Sequence, residues 1–530
     1  MALHGIIHGL GKMILTVNSE DSAILRFTVK KRPLVLLFSR ATALLAFIFA
    51  ANVQAGFSFS AIEQQAKKLA DTPYRPASAQ SELTQLNYEQ WSKIHFREVK
   101  APWLPPRRFI VYPSFPGYLF KEPVKLHLVQ GNVVKDFAFD PALFDLAGQN
   151  QLLRLPKSTG YSGFKLVYPL NDGSRRDEVI SFQGASYFRA IGAGQWFGSS
   201  ARGIAVNTGV NGGNAEEFPS FREFWLVRPP VSSKIMMVYA LLDSPSLTGA
   251  YQFRILPGKT TTVEVQAVLF MRRPVQKLGI APLTSMFLQG ENSLRQINSL
   301  RPEEHDADGL LIRAKNDEKI WRPLQNPKEI KTYAFSVDTP KGFGLIQRDR
   351  AFDHYQSLDL HYQRRPSVWV VPGEDWGRGH VELIELPASA ETQDNIVTYW
   401  VPYDLPMPGK PFKFSYSLLW QDEDAAAKEQ GQAITTLAEQ HGTDSRRFVI
   451  DFAGGNLEAL PEAEIVAVVD VGAGANLLGQ KMQRNPNARG WRLDFTLRSD
   501  PGATVQLRAY LQHRDQPMTE TWDYVSLPTN

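Results

Sequence analysis

The segment Lys234–Arg273 (KIMMVYALLDSPSLTGAYQFRILPGKTTTVEVQAVLFMRR) decides the fold class. Apolar and polar side chains alternate within its runs, and Ser, Pro and Gly interrupt them, which is typical of short strands joined by turns. Similar runs recur from about Ile94 to Leu419 with few helical patterns between them. This spacing predicts a large antiparallel β-sandwich, because a parallel α/β sheet would interpose helices of ten or more residues.

The regions on either side of this body have a different character. Phe57–Leu69 predicts a short amphipathic helix with Ile62, Ala66 and Leu69 on one stripe. Residues 421–445 are polar, rich in Ala and free of aromatic residues, which predicts a linker that is partly helical.

Runs such as RRFVIDFAG and TVQLRAYLQ then predict five to seven short strands after the linker, enough for one immunoglobulin-like sandwich. The chain is therefore predicted to contain a mainly β body over residues 56–420, a linker over 421–445 and an immunoglobulin-like domain over 446–530. Residues 1–55 precede the body and are predicted to be a signal peptide region that is removed.

The N-terminus carries a targeting signal. A basic stretch from Lys30 to Arg40 precedes the apolar run Ala41–Ala51, which is too short to span a bilayer. Val53 and Ala55 then supply the small residues of a cleavage site. We expect export with cleavage after Ala55 and no stable membrane insertion afterwards, and an uncleaved membrane anchor is the alternative.

The composition excludes several classes of function. The chain contains no cysteine, so disulfides, thiolate metal sites and cysteine nucleophiles are unavailable. Six basic and two acidic residues before position 56 account for the whole formal charge of +4, so the mature chain is close to neutral and lacks the electrostatic footprint of a nucleic-acid-binding protein. The histidine spacing indicates no metal site, and no motif indicates a cofactor.

Several longer segments occur in the same order as in one known family. They are GASYFRAIGAGQWFGSSARGIA (Gly184–Ala205), EEFPSFREFW (Glu216–Trp225), YALLDSPSLTGAYQF (Tyr239–Phe253), KLGIAPLTSMF (Lys277–Phe287), HDADGL (His305–Leu310), WRPLQNP (Trp321–Pro327), GFGLIQRDRAFDHYQSLD (Gly342–Asp359), RRPSVWV (Arg364–Val370) and ETQDNIVTYW (Glu391–Trp400). Together they resemble the periplasmic glucans biosynthesis proteins of the OpgG/OpgD, or MdoG/MdoD, type. The likeness extends from about residue 56 to 530. AIGAGQWFG and APLTSMFL resemble the G type, and Lys31-Arg32-Pro33 is not the twin-arginine leader common in the D type, whereas RRFVIDFAGGNL resembles the D type. The resemblance therefore leans to the G type, with the D type as the alternative.

The resemblance implies a galactose-mutarotase-like N-terminal β-sandwich, a C-terminal immunoglobulin-like domain and a periplasmic location. It also implies a role in making osmoregulated glucans, whose backbone is β-1,2-linked glucose. The family is understood to include inverting endo-β-1,2-glucanases. β-1,2-Glucan is therefore the expected ligand, and the inner-membrane glucan synthase is a candidate partner.

Glycoside hydrolysis requires one carboxyl group that donates a proton and a second, ionised one that activates water. The resemblance assigns these roles to Asp394 as general acid and Asp306 as general base. From the residues alone, a turn role is favoured for Asp394 beside Asn395 and for Asp306 beside Asp308. The spaced pair Asp306 and Asp308 could also bind calcium, although the twelve-residue EF-hand pattern is absent. The family base is thought to act through a relay of waters and side chains.

A further set of residues is predicted to bind substrate or to relay protons: Tyr362, Glu391, Arg365, Tyr187, Arg189, Trp321, Arg322, Tyr355 and Trp376. Tyr187 and Arg189 alternate with Phe188, so they are expected on one polar strand face. Trp196 and the other aromatic residues of the motif segments are candidates for sugar stacking, with a place in the core as the alternative. Arg365 is a candidate for orienting a carboxylate or a sugar hydroxyl, or for a structural contact beside Pro366.

Two functions remain open at this point. The first is an endo-acting β-1,2-glucan hydrolase that uses Asp394 and Asp306. The second is a non-catalytic scaffold that binds the glucan and works with the membrane synthase in its release or branching. The paired carboxylates favour the hydrolase, because a simple binding protein does not need them.

Overall fold

The structure, a computed structural model, describes residues 57–77, 83, 85–210, 216–294, 299–422, 430–442, 444–461 and 464–528. The predicted signal region lies outside the described residues. Within them the chain is mainly β, as the sequence predicts. The helices are α1 (Phe59–Ala70), α2 (Tyr88–Ser92) and α3 (Phe352–Tyr355), with 3₁₀ turns at Glu98–Lys100, Pro141–Leu143, Asn150–Arg154, Lys157–Thr159, Tyr362–Arg364 and Leu457–Ala459.

The alternating runs of the sequence form strands. Those before residue 300 are β1 (His95–Phe96), β2 (Ile110–Pro113), β3 (Lys125–Gln130), β4 (Val133–Phe137), β5 (Phe144–Asp145), β6 (Gly163–Tyr168), β7 (Asp177–Gln183), β8 (Tyr187–Ala190), β9 (Ser200–Arg202), β10 (Ala205–Val206), β11 (Ser220–Val227), β12 (Met236–Asp243), β13 (Leu247–Leu256), β14 (Thr261–Met271), β15 (Leu278–Ser285) and β16 (Phe287–Gln289). Those that follow are β17 (Glu304–His305), β18 (Gly309–Arg313), β19 (Lys319–Pro323), β20 (Lys331–Ser336), β21 (Gly342–Ile346), β22 (Ser367–Pro372), β23 (Gly379–Glu385), β24 (Ile396–Pro402), β25 (Phe412–Gln421), β26 (Gln432–His441), β27 (Ser445–Ala453), β28 (Ile465–Val471), β29 (Ala475–Asn485), β30 (Gly490–Ser499), β31 (Val505–His513), β32 (Gln516–Pro517) and β33 (Thr521–Ser526).

Two sheets form the large sandwich. The first runs β2-β6-β7-β8-β9-β15-β24-β23-β20, with β10 paired to β15. The second runs β28-β31-β33-β19-β18-β21-β22-β25-β14-β13-β12-β11-β3-β4, with β32 paired to β31. Pairing is antiparallel, as predicted, except that β3 and β11 are parallel, as are β19 and β33. The inner faces bury a shared core, in which the rings of Phe182 and Phe253 meet with centroids 5.1 Å apart.

Part of the second sheet is buried on both faces. On β18, Leu310 and Ile312 belong to the core of the large sandwich, whereas Leu311 between them belongs to a second core. This follows from strand geometry, because successive side chains point to opposite faces. The second core lies between two sheets. One is the end of the second sheet, formed by β18, β19, β33, β31 and β28, and the other is the separate four-stranded sheet β26-β27-β30-β29. The C-terminal sandwich therefore packs on the outer side of the larger one.

The predicted linker is partly wrong. Residues 432–441 lie within it and form β26, which pairs with β27 through a register from Gln432↔Ala453 to His441↔Ser445. Ala433 in this strand is buried in the second core. The polar composition misled because β26 is an edge strand with one face in solvent, and such strands carry many polar residues. Residues 423–429, also in the predicted linker, lie outside the described residues.

The helix predicted after the signal region is confirmed. In α1, Ile62 and Ala66 are fully buried against the outer face of β12 and β13, and Leu69 packs beside them. The Thr248 hydroxyl of β13 donates a hydrogen bond to the carbonyl of Ala66 at 2.7 Å, which fixes the helix along the sheet. Among the described residues, no helix combines the length and apolar character needed to cross a bilayer.

A buried carboxyl group makes the stability of the fold depend on pH. Glu385, at the end of β23, has no exposed surface, and its Oε1 accepts a hydrogen bond from the backbone N–H of Gln325 at 2.8 Å. Its Oε2 has no partner among the described residues. Burial raises the pKa of Glu385 to about 7, although the Arg322 guanidinium opposes the rise. Between the ordinary glutamate pKa and about pH 7, Glu385 is therefore protonated in the folded protein but ionised in the unfolded chain.

Stability is expected to fall as the pH rises from the ordinary glutamate pKa towards 7, because in that window the folded state binds more protons than the unfolded state. Glu385→Gln should remove this dependence and raise the free energy of unfolding at pH 8 by on the order of 3 kcal/mol. Urea unfolding of the wild type and of Glu385→Gln at pH 5 and pH 8 measures these free energies of unfolding. Glu374→Gln, at an exposed position, is the control. Equal pH dependence in wild type and Glu385→Gln would contradict the prediction.

Candidate functional site

A polar strip runs along the outer face of the first sheet. On β8, Phe188 and Ala190 enter the core while Tyr187 and Arg189 face outward, as their alternation predicts. On the adjacent β9, Arg202 lies directly opposite Tyr187, with its guanidinium carbon 4.6 Å from the ring centroid. The nitrogen Nε of Arg202 donates to the Thr284 hydroxyl of β15 at 2.9 Å. Three neighbouring strands thus supply one continuous surface.

Asp394 lies beside this strip, two residues before β24. The side chain of Asn395 holds its loop in place, because its amide nitrogen donates to the carbonyls of Phe287 and Leu386 and its oxygen accepts from the amide of Phe287. Asn395 is buried, whereas Asp394 is exposed to solvent. The turn residue of this pair is therefore Asn395, and the carboxyl group of Asp394 is left free of that task.

The carboxyl group of Asp394 is exposed yet surrounded by protein. Desolvation raises its pKa, and this effect outweighs the opposing charges of Arg202, Arg189 and Arg365. Desolvation disfavours the charged form of a carboxyl group and so raises its pKa. We refer to the surface formed by Tyr187, Arg189, Arg202, Arg365 and Asp394 as the aspartate groove.

Asp306 lies behind the groove, immediately after β17. Its side chain is buried and forms an ion pair with Nη1 of Arg365. The Arg365 guanidinium also stacks on the Tyr362 ring, with its carbon 3.9 Å from the centroid, and it lies within the electrostatic reach of Asp394. Burial lowers the pKa of Arg365 to about 10, so this residue remains charged at neutral pH. Arg365 therefore pairs with one predicted catalytic aspartate, Asp306, and its charge acts on the other, Asp394.

Glu391 and Tyr362 form a second polar pair beside Arg365. The Tyr362 hydroxyl donates to Glu391 Oε2 at 2.7 Å, and Arg301 Nη1 donates to the same oxygen at 2.5 Å. Burial alone would raise the pKa of Glu391, but the hydrogen bonds from Tyr362 and Arg301, with the charges of Arg301 and Arg365, lower it overall. Glu391 is accordingly an ionised acceptor and unsuited to donating a proton.

Exposed aromatic rings flank the groove. Trp196 is 43% exposed and meets the His361 ring edge-on, with centroids 4.6 Å apart. The neighbouring Phe197 lies under the Arg189 guanidinium, and Phe218 lies near that of Arg202. Flat apolar rings beside hydrogen-bonding groups are suited to binding sugars, which present both C–H and hydroxyl surfaces.

Four of the predicted residues do not reach the groove. Trp321 and Tyr355 are buried, so neither can stack on a sugar. Arg322 is buried in an ion pair with Asp523 of β33, at 2.7 Å between Nη1 and Oδ1. Trp376 lies beyond the far end of β24 from Asp394 and packs on Trp400.

Trp321 and Tyr355 are buried for different reasons. Trp321 is on β19, where the C-terminal sandwich covers the face that it occupies. Tyr355 stacks on Tyr362 beneath the groove, and its hydroxyl accepts a hydrogen bond from Gln347 at 2.7 Å. Neither position can be recognised from a motif segment, because a strand pattern does not show what covers each face.

Arg202 and Arg301 were missed by the sequence analysis. Arg202 lies in a motif segment, and the β8–β9 pairing places it beside Tyr187. Arg301 lies outside every motif segment, and no sequence signal identifies it.

A cluster of histidines and carboxylates adjoins Asp306. Glu303 belongs to two groups of possible metal ligands, one with His305 and Asp308 and one with Asp349 and His354. Burial would lower the pKa of His305, but Asp308 and Glu303 raise it overall, and its Nε2 is 2.8 Å from Glu303. These contacts are histidine–carboxylate pairs, and His305 directly precedes Asp306 in the chain.

The fold and this surface together define a class: a protein of two packed β-sandwiches whose larger sandwich presents carboxylates, arginines and exposed aromatic rings close together on its surface. Residues 57–526 match the family model described as "Periplasmic glucan biosynthesis protein, MdoG". The chain belongs to this family, as the sequence resemblance predicted. It is therefore a member of a periplasmic family of glucan biosynthesis.

Proposed function

We propose that this protein is an inverting endo-β-1,2-glucanase that acts on linear β-1,2-glucan backbone. The observation that carries the proposal is the contrast between the two aspartates around Arg365. Asp394 is exposed with a raised pKa, whereas Asp306 is buried in an ion pair. One group is thus suited to holding a proton and the other to remaining ionised, which is the division of roles that inverting hydrolysis requires.

Asp394 acts as the general acid. A carboxyl group must be protonated before it can donate to the departing glycosidic oxygen, and desolvation favours the protonated form of Asp394. Its exposure to the groove allows a sugar linkage to approach it. The rings of Trp196 and Phe218 provide apolar surface for glucose units on either side.

Asp306 acts as the general base at a distance. Because it is buried and paired with Arg365, it takes up the proton of the attacking water through intervening groups rather than by direct contact. Tyr362 and Glu391, joined at 2.7 Å beside Arg365, are candidates for such a relay. Arg365 holds Asp306 through an ion pair, and its charge also acts on Asp394.

Export follows from the same proposal. Residues 1–55 would be removed after Ala55, leaving a mature protein in the periplasm. There it would trim nascent backbone, and contact with the inner-membrane glucan synthase would bring the polymer to it.

The alternative is a glucan-binding scaffold without hydrolytic activity, which the exposed rings beside the groove would also serve. Mature wild-type protein, incubated with linear β-1,2-glucan, distinguishes the two when chain length is followed by mass spectrometry. Shortened chains whose new reducing ends first appear as the α-anomer by proton NMR support the proposal. Binding without shortening supports the scaffold, and an initial β-anomer contradicts the inverting mechanism.

A further inference from the structure

A cavity of about 420 Å³ lies where the loops of the large sandwich meet the C-terminal strands. The large sandwich contributes Leu288, Asn326 and Lys331, and the C-terminal part contributes Arg446 of β27 and Tyr524 of β33. We refer to it as the junction cavity. Its volume lies within the range of small-molecule sites, and it is separate from the aspartate groove.

Arg446 is a buried cation without an anionic partner. It is 5% exposed, and its guanidinium donates to neutral acceptors, from Nε to Gln440 Oε1 at 3.2 Å and from Nη1 to Ser526 Oγ at 2.7 Å. Across the described part of the chain, no carboxylate lies within ion-pair distance of it. Desolvation lowers the pKa of Arg446.

Two other buried arginines at the same junction, unlike Arg446, form ion pairs with carboxylates. Arg322 contacts Asp523 at 2.7 Å, and Arg348 contacts Glu520 at 2.6 Å. Burying a charge is costly unless an opposite charge or a strong hydrogen-bond partner compensates it. A cation that lines a cavity and has only neutral partners is therefore suited to a ligand that brings the negative charge.

The rest of the wall leaves few other polar groups for a ligand. The Asn326 side chain forms hydrogen bonds with the backbone of Leu288 and Ala388. The side-chain amide of Gln325 donates to the Val525 carbonyl. Lys328 and Lys331 add positive charge to the wall, and Glu329, whose Oε2 is 3.8 Å from Lys331 Nζ, adds one negative charge. The remaining lining is mainly apolar, contributed by Leu288, Leu294, Leu527 and Pro528.

We propose that the junction cavity binds a small organic anion whose carboxylate or phosphate group is held by Arg446 and whose apolar part lies against the leucine side chains. A planar guanidinium with free N–H donors matches both anionic groups. The bound anion would join the large sandwich to the C-terminal one. It would also contact Asn326, which holds the loop at Ala388 that leads to Glu391 and Asp394.

Isothermal titration calorimetry with benzoate, phenyl phosphate and benzyl alcohol at constant ionic strength tests the proposal on the full mature protein. The two anions distinguish a carboxylate from a phosphate ligand, and benzyl alcohol is the uncharged control. At least one anion is expected to bind saturably, about tenfold or more tightly than the alcohol, because a hydrogen bond to a charged group contributes that much.

Two variants locate the site. Arg446→Gln is expected to weaken anion binding about tenfold or more, and Lys331→Glu, which reverses a charge at the cavity wall, is expected to weaken it similarly. The matched control is Arg447→Gln, because Arg447 is the next residue on β27, faces solvent and pairs with Asp494. If Arg446→Gln fails to fold, Lys331→Glu carries the test alone. The proposal is overturned if neither anion saturates on wild type, or if a folded Arg446→Gln or Lys331→Glu binds as tightly as wild type.

Discussion

Asp394→Asn is expected to lower kcat for cleavage of linear β-1,2-glucan by about 10³-fold, the middle of the range for losing a general acid. Asparagine keeps the volume of the side chain but has no proton to donate to the leaving oxygen. Binding should be retained, because the arginines and aromatic rings of the groove are unchanged. Initial rates of chain shortening, with calorimetric binding in parallel, measure both quantities.

The matched control for this variant is Asp404→Asn, at an exposed aspartate beyond the other end of β24. It should cleave at the wild-type rate. An Asp394→Asn variant that keeps more than a tenth of the activity would show that another group delivers the proton. A tenfold loss of rate corresponds to only about 1.4 kcal/mol of activation free energy.

The pH profile of the wild type provides a second readout of the same residue. The acid must be protonated to act, so kcat falls as the pH rises through the pKa of Asp394. Because desolvation raises that pKa, the fall should occur above the ordinary range of an aspartate carboxyl group. A fall that begins within the ordinary range would argue against Asp394 as the acid.

Asp306→Asn is expected to lower kcat by a similar factor, about 10²- to 10³-fold, since it removes the group that accepts the proton of the attacking water. The ion pair with Arg365 is lost as well, so the neighbouring guanidinium no longer has that carboxylate to hold it. Glucan affinity should change less than kcat, because Asp306 is buried behind the groove.

Asp353→Asn, at an exposed aspartate of α3, is the control for Asp306→Asn and should retain activity. Near-ultraviolet circular dichroism of Asp306→Asn checks that the buried site keeps its packing. If the folded variant cleaves as fast as wild type, Asp306 has only a structural role and the base lies elsewhere.

The candidate site was only partly predictable from the sequence. The resemblance points to Asp394 and Asp306, and the structure pairs Asp306 with Arg365, whose charge also acts on Asp394. Arg202 and Arg301 reach the same place through strand pairing and a loop contact that no local pattern encodes. Trp321 and Tyr355 look like sugar-stacking residues in the sequence, but their burial makes them part of the packing.

The sequence by itself determined the strand-forming runs, the amphipathic helix α1, the near-neutral charge of residues 56–530 and the family. These features depend on neighbouring residues or on composition, so they can be read locally. Only the tertiary structure decided which side of each strand is covered, as on β18, where Leu310 and Leu311 enter different cores. A period of two shows which side chains share a face, but the partner of that face is set by contacts between residues far apart in the chain.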